Sequence, residues 1–157
     1  MVYYLSLGAN LGNRELTIRQ ALDMIEQQAG HILRCSTFYY SAPWGFESAN
    51  EFCNLCCALQ TDKQPLEVLA ITQQTEKDLG RKKKSIDGHY SDRPIDIDLI
   101  MAFDDSGKEI RCDIPNPQPP VSDHETNTGA HVSMLTLPHP LWQERDFVKV
   151  PLVEIMQ

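Results

Sequence analysis

The stretch SDRPIDIDLI at residues 91–100 predicts a strand with an unusual charge pattern. In an extended chain side chains alternate between the two faces, so Ile95 and Ile97 share one face while Asp96 and Asp98 share the other. Two like charges on one face repel each other unless water, an arginine or a metal ion neutralises them. The stretch therefore predicts a strand with one apolar face and one face that carries paired carboxylates.

This strand is the last of six elements that follow one another in a regular order. Strands are predicted at 2–7, 31–40, 52–60 and 95–103, and helices from residue 14 or 15 to a stop at Gly30 and at 64–79. The second helix is predicted to pack with the face that carries Leu66, Leu69 and Ala70. The order is the βαββαβ pattern of a ferredoxin-like α+β domain, in which two helices cover one face of an antiparallel sheet.

The remainder of the chain differs in composition. Residues 104–132 are polar and contain four prolines, which predicts a long loop insertion with room for a short hairpin around 109–112. After Leu137 the sequence becomes amphipathic again and predicts a further helix that ends at 151–155. We therefore expect a single domain over residues 1–157.

Composition and charge limit the classes of function. The chain has 157 residues and a formal net charge of −8, which argues against general nucleic-acid binding, although a basic run at 81–84 could attract a polyanion. No apolar run approaches about 18 residues and no charged segment precedes an apolar one, so we expect no membrane insertion and a cytoplasmic location. The cysteines number five, which is typical of reduced thiols rather than of a disulfide framework.

The paired carboxylates have an ordinary explanation and a functional one. They could form a solvated polar face on an edge strand, and the pair alone does not separate the two explanations. However, Arg93 and the cations at 81–84 suit phosphate oxygens, and Mg²⁺ commonly binds one or two carboxylates together with substrate phosphates. The chain contains neither a GxxxxGK[ST] P-loop nor a GxGxxG motif, so other groups would have to hold a nucleotide.

Cysteines and histidines give weaker signals. Cys53, Cys56 and Cys57 include a CxxC spacing that can bind zinc, but they lie in an apolar run without a second such pair, so buried thiols are favoured. His139 lies in the stretch TLPHP at 136–140, where an imidazole could contact phosphate. Taken alone, a histidine in this position is more often structural.

Aromatic residues suggest a second substrate. Trp44, Phe52, Tyr90 and Phe147 lie in or beside predicted loops, and each of them alone is more often part of a core. Together they could enclose a flat heterocycle while Asn54 reads its hydrogen-bonding edge.

Five stretches of the chain resemble a known family when they are taken in order. They are YLSLGANLGNR at 4–14, FYYSAPWGFES at 38–48, FCN at 52–54, DRPIDIDLI at 92–100 and LTLPHPLWQERDFVKVPLVEI at 135–155. In this order, and over nearly the whole chain, they resemble the 6-hydroxymethyl-7,8-dihydropterin pyrophosphokinases. The resemblance implies an enzyme of folate biosynthesis that transfers the terminal diphosphate of ATP to the hydroxymethyl group of the pterin and releases AMP.

The resemblance also implies site residues, position by position. The catalytic positions are matched by Arg81, Lys83, Arg93, Asp96 and Asp98, and the two aspartates match the ligands of two Mg²⁺ ions. The positions on the ATP side are matched by Gln73, Glu76, Lys83, Arg93, Thr136, His139 and Arg145. The positions on the pterin side are matched by Ser41, Ala42, Trp44, Phe52, Asn54, Tyr90 and Phe147. We expect a monomer whose partners are these two small molecules, with no nucleic acid and no membrane.

Two departures from the family pattern concern phosphate binding. Asp92 adds a negative charge before the signature Arg93, and Lys83 stands where many members have an arginine, so it cannot make a bidentate contact. Two other classes of function also stay open. A nucleotidyltransferase uses paired carboxylates and two metals but leaves the α-phosphate on its acceptor, and a noncatalytic ferredoxin-like module binds ligands without turnover.

Overall fold

Eight strands and three α-helices form the part of the chain that the computed structural model describes, which comprises residues 1–42, 51–80, 94–116 and 133–156. The strands are β1 (Val2–Ala9), β2 (His31–Cys35), β3 (Tyr39–Ser41), β4 (Phe52–Gln60), β5 (Asp96–Phe103), β6 (Glu109–Ile110), β7 (Cys112–Pro115) and β8 (Ser133–Leu137). The helices are α1 (Arg14–Gln28), α2 (Pro65–Asp78) and α3 (Asp146–Ile155), and a 3₁₀ turn covers Trp142–Glu144. The predicted βαββαβ order and α+β class are confirmed.

The main sheet is antiparallel and has β1 near its centre. Its strands lie in the order β2-β4-β1-β5-β6, and β3 pairs with β4 beside the site where β2 ends. A separate two-stranded ribbon is formed by β7 and β8. Seven of the eight residues of β1 are buried, because helices cover parts of both faces of the sheet.

Two apolar clusters lie on opposite faces of this sheet. On one face α1 and α2 pack against alternate residues of the central strands, including Leu5, Leu7 and Ile97. On the other face α3 packs through Val148, Leu152 and Ile155. Its partners on the sheet are Tyr4, Cys56, Ala58, Ile100 and Met101. Because α3 contacts only the half of this face where β1 begins, polar side chains occupy the other half.

The expected strand at 31–40 is wrong in one respect, because the structure divides it into β2 and β3. The division lies at Ser36, whose backbone N–H donates to the carbonyl of Cys56 at 2.8 Å. The backbone N–H of Cys56 donates in return to the Ser36 hydroxyl at 3.0 Å instead of to a backbone carbonyl. This side-chain bond interrupts the ladder of backbone hydrogen bonds. Pairing with β4 resumes three residues later, where β3 begins.

The predicted packing face of α2 is also wrong in part. Leu66 is 43% exposed, whereas Val68, Thr72 and Thr75 are buried. Both threonine hydroxyls donate to carbonyls of the preceding helical turn at 2.8 Å, so their burial leaves no hydroxyl unsatisfied. Leu69 does pack against the core and Ala70 is exposed, so hydrophobicity alone identified only part of the buried face.

The expected loop insertion at 104–132 contains regular structure in its first half. The carboxylate of Asp104 accepts hydrogen bonds from the backbone N–H groups of Ser106 and Lys108, which closes a tight turn between β5 and β6. Strand β7 then pairs with β8 instead of completing the hairpin expected around 109–112. Residues 117–132 lie outside the described part of the chain. None of the described helices is long and apolar enough to cross a membrane.

Candidate active site

The polar half of the sheet carries a row of residues from three adjacent strands. Gly8 on β1 lies opposite Asn54 on β4 and opposite Asp96 on β5. Two residues earlier on β1, on the same face of the sheet, Ser6 lies between Cys56 on β4 and Asp98 on β5. Two strand spacings, about 10 Å, therefore separate the backbone of Asn54 from that of Asp96. The predicted pterin side and the predicted metal side thus meet across one glycine.

A glycine is required at position 8 because the side chain of Asn54 lies across it. A Cβ atom at this position would collide with Oδ1 of Asn54 and would approach Cδ1 of Phe52 to 3.8 Å. The glycine therefore lets the Asn54 amide lie close against β1, and it leaves no side chain between Asn54 and Asp96.

Asn54 is held in place by its neighbour on β3. It is only 3% exposed, and its Nδ2 donates to the hydroxyl of Ser41 at 3.3 Å. Ser41 in turn pairs with Phe52 in the ladder between β3 and β4. The structure thus brings together three of the predicted pterin-side residues, Ser41, Phe52 and Asn54, and Ala42 follows directly and is exposed.

Asp96 and Asp98 lie on the polar face of β5, as their alternation with Ile97 and Leu99 predicted. Both carboxylates are partly exposed, whereas Ile97 and Leu99 are buried on the other face. Among the described residues there is no group of three or more histidine, cysteine, aspartate or glutamate side chains able to hold a metal ion. Two carboxylates without a full protein cage fit Mg²⁺, which completes its coordination with water and substrate phosphates.

Glu76 connects helix α2 to the strand that carries the aspartates. Its side chain is 7% exposed, and Oε2 accepts a hydrogen bond from the backbone N–H of Ile97 at 3.0 Å. Within the described sheet, β6 pairs with this edge of β5 only at Ala102 and Phe103. The glutamate therefore accepts the hydrogen bond that a neighbouring strand would otherwise accept. It anchors β5 at Ile97, the residue between the two aspartates.

His139 lies beside the aspartates with a defined orientation. Its backbone N–H donates to the carbonyl of Ile100 at 2.7 Å, and its Nδ1 accepts from the backbone N–H of Leu141 at 3.1 Å. A neutral ring whose Nδ1 accepts a hydrogen bond carries its proton on Nε2. Burial, reinforced by the charge of Arg145 and opposed by that of Asp96, lowers the pKa of His139 to about 4. The imidazole is therefore neutral at physiological pH and offers an N–H donor.

This lowered pKa predicts a dependence of folding stability on pH. Because the histidine binds a proton more readily in the unfolded chain, stability falls as pH falls from about 6.5 towards 4. We expect His139→Gln to remove part of the stability difference between pH 7 and pH 5, on the order of 1 kcal/mol because solvent screens the partly exposed ring, measured by urea unfolding without nucleotide. The exposed His31 serves as a matched control through His31→Gln. Identical pH dependence in wild type and His139→Gln would show that the folded protein does not disfavour the charged ring.

A cavity of about 380 Å³ lies along the outer edge of β5. Its lining combines apolar and polar groups, and it consists of Leu69, Ile97, Asp98, Leu99, Met134, Leu135, Thr136, His139 and Pro140. Two predicted ATP-side residues, Thr136 and His139, therefore share a cavity with Asp98. Gln73, a further one, is exposed on α2, one turn beyond Leu69.

Two other predicted residues lie at the start of α3. Arg145 immediately precedes the helix, and its guanidinium carbon lies 5.9 Å from the centre of the Phe147 ring. Phe147 is partly buried against the cluster under α3. The predicted residues Trp44, Arg81, Lys83, Tyr90 and Arg93 lie outside the described part of the chain.

Sequence reasoning missed Asp113. It lies on β7 directly opposite Thr136, and its Oδ1 accepts a hydrogen bond from the threonine hydroxyl at 3.1 Å. No local sequence pattern indicates this contact, because it depends on the pairing of β7 with β8, which are far apart in the chain.

The cysteines do not form a metal site. Cys53 and Cys57 lie in the cluster under α1 and α2, whereas Cys56 lies in the cluster under α3, so the CxxC pair points to opposite faces of the sheet. All three are buried, and burial raises the pKa of Cys56 to about 12. The expectation of buried thiols is confirmed.

Known proteins resemble this chain over nearly its whole length. A family model described as 7,8-dihydro-6-hydroxymethylpterin-pyrophosphokinase (HPPK) matches residues 4–157. The 2-amino-4-hydroxy-6-hydroxymethyldihydropteridine pyrophosphokinase of Porphyromonas gingivalis is 40% identical over 154 residues, which cover 98% of this chain and 90% of that protein. The Bacillus subtilis protein of the same name is 31% identical over 157 residues, or 99% of this chain and 78% of that protein.

A solved structure shares the fold. It is described as HPPK-DHPS in complex with substrates, and it matches with a TM-score of 0.65 at 15% sequence identity. The match covers 99% of this chain and 40% of that longer chain. At this identity the similarity supports the ferredoxin-like fold alone.

Proposed function

The chain belongs to the 7,8-dihydro-6-hydroxymethylpterin-pyrophosphokinase family, and on that premise we propose how its own residues perform the reaction. It is an enzyme of folate biosynthesis that transfers diphosphate from ATP to the hydroxymethyl group of 6-hydroxymethyl-7,8-dihydropterin and releases AMP. The observation that carries the proposal is the row formed by Asn54, Gly8 and Asp96 across three strands.

The pterin occupies the part of this row near Asn54. The amide of Asn54 presents both a donor and an acceptor, which match the edge of a pterin ring, and Ser41 fixes its orientation. The ring of Phe52 lies beside Gly8 and supplies an apolar surface for the flat heterocycle. Because Gly8 has no side chain, the hydroxymethyl group can extend from this position towards Asp96. Ala42, Trp44, Tyr90 and Phe147 complete the proposed pterin site on the strength of the family resemblance.

ATP occupies the cavity along β5. Its apolar side chains suit the flat adenine ring, and its polar end at Asp98 and His139 suits phosphates that carry Mg²⁺. The neutral His139 donates from Nε2 to a phosphate oxygen without adding charge, while Arg145 supplies a positive charge nearby. Gln73, Glu76, Thr136 and the cations Arg81, Lys83 and Arg93 are proposed to act on this side by resemblance.

By resemblance to the family, Asp96 and Asp98 would hold two Mg²⁺ ions. The bound metal would neutralise charge on the transferred phosphates and lower the pKa of the attacking hydroxyl. The protein contributes mainly by positioning, because Asn54 holds the acceptor and the cavity holds the donor on either side of Asp96 and Asp98. No described residue is needed as a general base in this scheme.

We propose that the chain acts in the cytoplasm as a monomer, without a nucleic-acid or membrane partner. The formal net charge of −8 supports the absence of a nucleic-acid partner, since most of the surface would repel a polyanion.

Formation of AMP tests the proposed function. ATP and Mg²⁺ should yield AMP only when the hydroxymethyl pterin is present, in a one-to-one ratio to pterin diphosphate, as measured by ion-exchange chromatography. Release of pyrophosphate with a nucleotidyl pterin would indicate a nucleotidyltransferase instead. Binding of both substrates without any product would indicate a binding module.

A further inference from the structure

The first residue of α1 joins the helix to the end of the β3–β4 hairpin. The Nη1 atom of Arg14 donates to the backbone carbonyl of Glu51 at 2.6 Å. Its guanidinium carbon also lies 5.4 Å from the centre of the Tyr40 ring. Glu51 directly precedes Phe52 on one strand, and Tyr40 directly precedes Ser41 on the other. One partly buried cation therefore contacts both strands at the point where they carry the pterin-side residues.

The second residue of α1 strengthens this connection. The hydroxyl of Tyr40 donates to Oε1 of Glu15 at 2.7 Å, and this bond lowers the pKa of Glu15 and raises that of Tyr40 to about 12. The helix start itself is fixed, because Oδ1 of Asn13 accepts from the backbone N–H of Leu16 at 3.2 Å. Tyr40 is thus held between two consecutive residues of a capped helix.

The geometry of the pterin side depends on how β3 lies against β4. Asn54 pairs with Tyr39, and Ser41 pairs with Phe52, yet the amide of Asn54 donates to the Ser41 hydroxyl diagonally across the ladder. At 3.3 Å this hydrogen bond is already near the upper limit of useful length, so a small shift of β3 would break it. The amide of Asn54 would then lose the group that orients it.

We propose that Arg14 is a positioning residue for the pterin, because it holds the carbonyl of Glu51 and the ring of Tyr40 and thereby fixes Ser41 against Asn54. This inference rests on the proposed function, since it assigns Arg14 to the pterin side of that same site. Arg14 does not touch the substrate in this scheme, and the ATP cavity along β5 does not include it.

Steady-state kinetics with each substrate varied separately tests the proposal. Arg14→Ala should raise the KM for the pterin about fivefold to tenfold, the equivalent of one or two lost hydrogen bonds, and leave the KM for ATP within about twofold. Arg14→Lys keeps the charge and one donor and should recover part of the pterin affinity. Tyr40→Phe removes the bond to Glu15 and the weaker interaction of the hydroxyl with Cys53, keeps the ring under Arg14, and should have a smaller effect in the same direction.

Arg34→Ala is the matched control. Arg34 lies on β2, and its Nε donates to the backbone carbonyl of Ile155 at 2.6 Å, so its removal deletes a comparable arginine-to-carbonyl bond and the same charge away from β3 and the start of α1. It should leave the KM for the pterin unchanged. If Arg14→Ala lowers the melting temperature but changes neither KM, or raises both equally, Arg14 has only a structural role and the proposal is overturned. If Arg14→Ala does not fold, Arg14→Lys and Tyr40→Phe decide by the same criterion. Absence of AMP from the wild type would instead reject the proposed function itself.

Discussion

Asp96→Asn and Asp98→Asn are each expected to lower kcat by about three orders of magnitude, because each removes one of the two carboxylates available to Mg²⁺ on β5. An amide oxygen is a weaker ligand for a hard divalent cation than a carboxylate. The measurement is AMP formation at saturating ATP, pterin and Mg²⁺.

The same substitutions should leave the fold stable. Ile97 and Leu99 keep their packing on the other face of β5, and the polar face loses a repulsion between like charges. The melting temperature without metal should therefore equal or exceed that of the wild type. Asp23→Asn, a matched change at an exposed position on α1, should keep normal kcat. Near-normal turnover in both β5 variants would refute the metal assignment.

Asn54→Ala is expected to weaken pterin binding about 100-fold and to leave ATP binding unchanged. The pterin edge would be buried without its partner, and an unpaired buried polar group costs more than the hydrogen bond contributes. Calorimetry with the pterin, in the presence of a nonhydrolysable ATP analogue, measures the effect. Gln60→Ala, at the exposed far end of the same strand, is the control.

Gly8→Ala provides an independent test of the same site. The added Cβ would displace the Asn54 side chain without removing its amide, so pterin affinity should fall while ATP affinity is retained. Unchanged pterin affinity in Asn54→Ala would exclude the amide as the group that reads the heterocycle.

The sequence predicted the order of the elements because the period of apolar residues reports which face of a strand or helix is buried. It failed where a single side chain competes with the backbone, as Ser36 does between β2 and β3. It also failed where polar residues are buried with their hydrogen bonds satisfied, as the hydroxyls of Thr72 and Thr75 on α2 are. Hydrophobicity does not report hydrogen bonds of this kind.

The candidate site was predicted as a set of residues but not as an arrangement. The alternation of Asp96 with Ile97 placed both aspartates on one face, and this local inference was correct. The row of Asn54, Gly8 and Asp96 depends on the register of strands that are far apart in sequence. Register follows from turn geometry and from packing across the whole sheet, so no local pattern contains it. The contacts of Arg14 and Asp113 are long-range for the same reason.

Transfer of isotopic label from ATP is the most direct test of the account. If the site holds ATP with its β-phosphorus facing the pterin hydroxyl, label from the β and γ positions must both appear on the pterin, and label from the α position must remain in AMP. The wild type should give this distribution, and Asp96→Asn should give almost no labelled pterin. Transfer of the γ label alone, or of the α label, would contradict diphosphate transfer at this site.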